Sequence, residues 1–213
     1  MPRLANKKRL ARKAKAFNFW DRLKEIDMFF QKRDKVHQSM YRLVKRLEKA
    51  KIPYAIMGGM AVNAHNHQQT TGNVDVLLTQ NGLHEFRDIF VPRDYSPVPQ
   101  KSRRFVDRRN DVVIQFLVAG QFPGSGKPGP IAFPDPSDVA ELKEKVRVVD
   151  LLTLIQLKLA AGRYRDFGDG VSLINMNHLD EAFLDQLHAS VRRDFIECLD
   201  EKRREDEYIA RNG

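Results

Sequence analysis

Cysteine is nearly absent from this chain: 213 residues hold one, Cys198. A single thiol excludes an intramolecular disulfide framework, and without a secretory signal the natural setting is a reducing cytoplasm. The N-terminus is basic, but no apolar stretch follows it as a signal peptide requires. No apolar run approaches the ~20 residues of a membrane-spanning helix. No internal repeat is present. A phosphate loop is suggested by Gly126-Lys127 and then excluded. Gln121 stands where its leading glycine belongs, and Pro128 where a Ser or Thr hydroxyl would meet Mg2+. His65 and His67 flank Asn66, but no second pair with metal-ligand spacing completes a zinc site. Cys198 falls on an amphipathic stretch with no evident histidine partner, so it reads as a small buried hydrophobe.

Positive charge is abundant but uneven. The net charge is +9, and residues 1–20 contribute seven basic side chains and no acid. The body of the protein is therefore close to neutral. A tail of this kind can displace counterions from phosphates, which makes RNA an expected partner. It equally suits a solvated, disordered extension. Phe17, Phe19 and Trp20 follow it, placed either to stack on bases or to anchor the next helix.

Apolar spacing divides the rest. From Trp20 to about Ala50 the period is helical, as one helix or as two meeting near Asp34, and Pro53 ends it. Tyr54 to Met57 predicts a buried strand, and Met60 to Ala64 opens a helix. Asn73 to Thr79 predicts a second strand, and Leu83 to Phe90 a helix. Pro92 to Pro99 reads as a loop or irregular edge. Arg103–Asp107 and Asp111–Val118 predict a hairpin turning at Arg109-Asn110. Residues 119–136, rich in Gly and Pro, predict a long loop. A short strand at Val146 to Val149 precedes a helix from Leu151 to Ala161, with Asp150 as N-cap and Gly162 as C-cap. Another helix is expected from near Asp166. From about Leu179 a single long amphipathic helix is expected, with Phe183, Leu184, Leu187, Val191, Phe195 and Leu199 on one stripe.

The densest chemistry lies between Lys51 and Gln80. Gly58-Gly59 allows a tight turn with close backbone approach, leaving a phosphate-sized gap. Asn73 and Asp75, two apart on a strand, share one face. Two oxygen-bearing side chains on one face suit a hard cation such as Mg2+.

A Gly-Gly turn, a short helix and a strand with Asn73-Val74-Asp75 resemble the polymerase-beta-like nucleotidyltransferase superfamily. The run Val112–Val118 sits where that family's third-carboxylate strand belongs. Residues 133–136 and 151–169, with Lys158, Asp166 and Asp169, are similar to the branch of abortive-infection and toxin–antitoxin nucleotidyltransferases. The resemblance covers roughly residues 38–176. It implies an α/β fold: a small mixed sheet flanked by helices, with helical N- and C-terminal extensions. The expected organisation is a basic tail at 1–19, a helical extension at 20–50, the α/β domain at 51–176 and a C-terminal helix at 177–213.

The resemblance also assigns roles. Gly58, Gly59 and Asn73 would meet the nucleotide. Asp75, with Asn73 and Gln115, occupies the Mg2+-ligand positions. Asp75, Lys158 and Asp166 would be catalytic, with Lys158 on a triphosphate and Asp166 as base. Lys158 and Asp166 also suit a salt bridge between two helices. Asn73 and Gln115 stand where carboxylates normally do, and Gln69 where the family often has Arg. Two functions follow as expectations. One is transfer of a nucleoside monophosphate from an NTP to an RNA or protein acceptor. The other is a catalytically degenerate member that binds nucleotide, RNA or a protein partner, as in a toxin–antitoxin pair.

Overall fold

Strands β1 (Ala55–Met57), β2 (Asn73–Leu78), β3 (Tyr95–Val98), β4 (Lys101–Asp107), β5 (Val112–Val118), β6 (Ala140–Lys143) and β7 (Val146–Val149) form one sheet. Its order is β3-β4-β5-β2-β1-β7-β6. The structure is a computed structural model and describes residues 26, 28–91 and 93–212. The basic tail at 1–19 and the aromatics Phe17, Phe19 and Trp20 lie outside the described residues. β2 runs parallel to β5, and β1 parallel to β7; the other neighbours are antiparallel. The sheet is therefore mixed, as expected.

Pleating gives the two faces different work. On one face Phe86, from the helix Gln80–Phe90, lies 4.5 Å from Phe116, 5.3 Å from Phe105 and 5.0 Å from Tyr95, measured between ring centres. Fully burying one such ring contributes roughly 1.5–3 kcal/mol. The same face receives α1 (Lys35–Lys49), whose Leu43, Val44 and Leu47 are buried, against β2 and β5. Asp34 caps α1 by accepting from the backbone N–H of Val36 at 2.7 Å. That cap explains the change of direction expected near Asp34. Residues 35–49, in the expected helical N-terminal region, pack on the sheet.

The other face of the sheet meets α2 (Gly58–Ala64), α5 (Leu151–Ala161) and α6 (Tyr164–Met176); α3 is Gln80–Phe90 and α4 is the short Pro136–Val139. α5 begins at Asp150, whose carboxylate accepts from Thr153 N–H at 2.7 Å, and ends at Gly162 in the left-handed region. Both caps match expectation.

Of the loop or irregular edge expected at Pro92 to Pro99, the structure has the edge: β3 is an edge strand that carries Pro97 beside a register shift, where proline is tolerated. β6 forms at Ala140–Lys143, a stretch to which the sequence reading assigned no element. The C-terminus differs from the expectation. The C-terminal stretch divides into 3-10 turns at Glu181–Gln186 and Ala189–Val191, then α7 (Arg192–Asn212). Local side chains compete with helix continuation: Asp180 accepts from Ala182 N–H at 2.9 Å, and Leu187 is extended. The predicted stripe survives the break, because Leu187, Val191, Phe195 and Leu199 are all buried.

Candidate functional site

One register row crosses the sheet at the centre of the site. Asp75 of β2 is in register with Gln115 of β5, which is in register with Arg104 of β4. Register partners project to one face, so these three side chains stand together. Asn73 lies two residues before Asp75 and joins them on that face. The sequence-predicted cluster of Asn73, Asp75 and Gln115 is therefore brought together, on the face turned away from the aromatic core.

Gly58 opens α2 directly beneath Asp75. Its φ is +62°, and a Cβ there would stand 2.1 Å from Asp75 Oδ2. Any side chain at 58 would displace the carboxylate and strain the backbone. A Cβ on Gly59 would sit 2.9 Å from Thr71 Cβ, so the turn packs tightly on that side too.

The two amides are already committed. Asn73 Nδ2 donates to Asp75 Oδ1 at 2.8 Å, while Thr71 Oγ1 lies 3.5 Å from Asn73 Oδ1. The network orients the amide so that its N–H, not its oxygen, faces Asp75. Gln115 Oε1 accepts from Arg104 Nε. Burial pushes the Asp75 carboxyl above its ordinary range. The Asn73 hydrogen bond and the charges of Lys158, Arg163 and Arg104 pull down and lose.

Helices α5 and α6 form the opposite wall. Leu154, Leu157, Lys158 and Ala161 line the cleft from one stripe of α5, as three- and four-residue spacing requires. Lys158 Nζ reaches Asp166 Oδ1 at 3.3 Å and also binds Asp169. Arg163 Nε donates to the other Asp166 oxygen at 2.5 Å. Both Asp166 oxygens are thus occupied. The Lys158 side chain is 11% exposed, so this is a buried network. Asp166 sits inside the first turn of α6, which begins at Tyr164, and not at the cap.

Between the walls lies a cleft of about 850 Å³. The 119–135 loop closes one side: a Cβ on Gly124 would meet Ala161 O at 2.7 Å, which brings loop backbone against the end of α5. Arg104, Lys158, Arg163 and Arg165 line the cleft together with the acids Asp75, Asp166 and Asp169. Arg103 borders it as well, but strand alternation turns Arg103 from the Asp75 row, so Arg104 is the cation beside that row.

Among the described residues no further carboxylate joins the row. Asp107 is buried on the aromatic face, 2.5 Å from Arg42. Burial works to raise its pKa, but the Arg109 N–H and Arg42 prevail and hold it below the usual range. Asp111 is exposed in the hairpin turn at φ 58°. Among the described residues no group of three or more His, Cys, Asp or Glu is placed to hold a metal. His65 is buried, with Nε2 at 2.8 Å from Val149 O, while His67 is partly exposed. Burial raises the Cys198 thiol to about 12, consistent with an inert core residue. Gly126-Lys127 lies exposed in the long loop.

Arg104 and Arg163 were not singled out from the sequence as site residues. A signal for Arg104 existed: counting outward from the Arg109-Asn110 turn places residue 104 opposite 115. Arg163 offered none, because its reach depends on how α6 packs against α5.

No protein-family model and no curated protein match the sequence. Solved structures do. ANT(2'')-Ia in complex with adenylyl-2''-tobramycin is similar at a TM-score of 0.51 and 12% identity, over 75% of this chain and 96% of that one. A protein from H. pylori, described as a candidate nucleotidyltransferase, is similar at a TM-score of 0.42 and 15% identity, over 76% of each chain. The second adds no argument at that score. Identity this low speaks to fold alone: the chain has a nucleotidyltransferase-type α/β fold, a seven-stranded mixed sheet flanked by helices.

Proposed function

We propose that this chain binds a nucleoside triphosphate in the cleft between the Asp75 row and α5, and that its capacity for nucleotidyl transfer is reduced or lost. One observation carries the reading. Register brings Asn73, Asp75 and Gln115 together in a basic cleft, and one of the three is a carboxylate. Gly58 and Gly59 would lie against the phosphates, where a turn without Cβ atoms lets backbone N–H groups approach. The ligand of the structural neighbour, which carries an adenylyl group, supports a nucleotide as occupant.

The residues do not fit a pair of Mg2+ ions. Two divalent cations need several anionic oxygens to offset dehydration and mutual repulsion. Here Asn73 turns an N–H towards Asp75, and the Gln115 oxygen already accepts from a guanidinium. Asp75 would have to ligate alone, beside three cations.

The second reading is an active enzyme that transfers a nucleoside monophosphate to an RNA or protein acceptor, with Asp75, Lys158 and Asp166 as its machinery. The half-buried, upward-shifted Asp75 carboxyl in the cleft favours it, because such groups concentrate at working sites. The closed network around Lys158 and Asp166 speaks against it. RNA as acceptor or ligand draws support from Tyr164, which is 99% exposed between Arg163 and Arg165 and presents a ring for base stacking. A toxin–antitoxin protein partner rests on the sequence resemblance alone. A cytoplasmic setting rests on the single, buried thiol; among the described residues no helix is long and apolar enough to cross a membrane.

The test is incubation with each labelled NTP, Mg2+ or Mn2+, and total RNA, beside a direct binding measurement. Binding without transfer is the expected result. Transfer that disappears in Asp75→Ala would establish the enzyme instead.

A further inference from the structure

We infer that the cleft holds the phosphate chain of its nucleotide through guanidinium and ammonium groups of the protein, without a divalent metal. The inference rests on the nucleotide-binding reading and specifies the chemistry of that same site.

Three observations lead to it. First, the donor set that would ligate a cation has been turned to other partners. Asn73 gives an N–H to Asp75 at 2.8 Å, and Gln115 gives its oxygen to Arg104. A magnesium ion at this row would meet a donor hydrogen on one side and a fixed positive charge on the other. Magnesium demands near-ideal octahedral oxygens and sheds water reluctantly, so such a setting is poor for it.

Second, cations share the cleft with the single carboxylate of the row. Arg104 of β4, Lys158 of α5 and Arg163 at the start of α6 line it together with Asp75. In a site of this fold, a metal offsets phosphate charge and carboxylates offset the metal. Removing two carboxylate charges and adding Arg104 gives a similar balance with no metal between the terms. Arginine is suited to this substitution, because its planar fork gives two parallel hydrogen bonds to a phosphate.

Third, part of this charge lies outside the salt bridges. Lys158 and Arg163 are shared with Asp166 and Asp169. Among the described residues, Arg104 and Arg165 form no salt bridge, and both line the cleft. Arg104 engages Gln115 through Nε, which leaves the terminal nitrogens of its fork to face a ligand.

The experiment is calorimetric titration of the full-length protein with ATP, GTP, CTP, UTP and inorganic tripolyphosphate, each in EDTA and in excess Mg2+. The expected result is binding in EDTA, with affinity within about threefold of that in Mg2+ and falling steeply with added salt. Arg104→Gln should weaken the EDTA titration by about tenfold, the loss of one charge-assisted pair. The double variant Asn73→Asp, Gln115→Asp should bind weakly in EDTA and recover in Mg2+; circular dichroism checks that each variant is folded. Binding that needs Mg2+ in the natural protein, by tenfold or more, overturns the inference and leaves nucleotide binding standing. Absence of binding in either buffer removes the nucleotide reading, and this inference with it. An Arg104→Gln variant that is folded and binds as tightly as the natural protein also overturns it.

Discussion

The two walls of the cleft solve the problem of buried charge in opposite ways. On the helical wall, Lys158 satisfies Asp166 and Asp169 together, and Arg163 closes the remaining Asp166 oxygen. Each of these four charges has a partner, and the network ties α5 to α6. On the sheet wall, Asp75 is half-buried with an amide as its direct hydrogen-bond partner, and its carboxyl is displaced upward because desolvation outweighs its neighbours. A paired buried network holds structure, whereas a carboxylate desolvated without an ion pair lowers stability. The sequence-predicted Lys158 and Asp166 both lie in the paired network of the helical wall.

The largest test of that contrast is Lys158→Met. Removing the shared cation leaves Asp169 buried without its ion partner and Asp166 with Arg163 alone, which costs about 3–5 kcal/mol. Urea unfolding monitored by circular dichroism measures it; a loss under about 1 kcal/mol would show that the network is not structural.

Gly58→Ala comes next. Its Cβ would fall 2.1 Å from Asp75 Oδ2 at a positive φ, so both overlap and backbone strain apply. A destabilisation of about 2–3 kcal/mol is expected. In the Asp75→Ala background the 2.1 Å overlap is removed and a tight 3.0 Å contact with the residue 75 Cβ stays, so the loss should shrink without disappearing. A double-mutant cycle reads this directly, and additivity of the two changes would refute the contact.

Asp75→Asn should act in the opposite direction and stabilise the fold by about 1 kcal/mol at neutral pH. The folded-state pKa lies above the unfolded one, so the contribution of Asp75 is full below the unfolded value. It is lost as pH rises through the folded value. The gain should therefore fade in acid. A thermal midpoint that drops at pH 7, or a gain that persists at pH 3, would contradict the account of the sheet wall.

The smallest effect is expected at His65, remote from both walls. Burial lowers its pKa against the pull of Val149 O and of the Glu141 and Asp150 carboxylates, and Lys143 adds to the lowering. A lowered imidazole contributes stability that is present above its unfolded value of 6.5 and is lost as pH falls through the folded value. His65→Gln should flatten the fall in urea midpoint between about pH 7 and pH 5. A slope unchanged by the substitution would assign it to other groups.

Much of the architecture was legible before any coordinates. Asp150 and Gly162 bracketed α5 because caps are local: a side-chain oxygen two or three residues from an N–H needs no distant partner. The hairpin and its turn were equally local, as were Asn73 and Asp75 on one face. The edge strand β3 was legible only as one of two alternatives and β6 not at all, since a short strand is defined by its neighbour more than by its own residues. The C-terminal stripe announced burial correctly but not helix, because apolar spacing near four residues also fits turns that bury the same side chains.

For the site, the sequence alone determined which residue types were present: a glycine turn, one carboxylate where two had been expected on β2, and an amide at 115. Spacing is covalent, so it survives any packing. Tertiary structure alone decided the partners. Sheet register set Arg104 beside Gln115, and helix packing placed Lys158 between Asp166 and Asp169 while bringing Arg163 towards Asp75. Charges act through space at a few ångströms and not along the chain. The balance of a cleft, and whether it suits a metal, is therefore written in the fold.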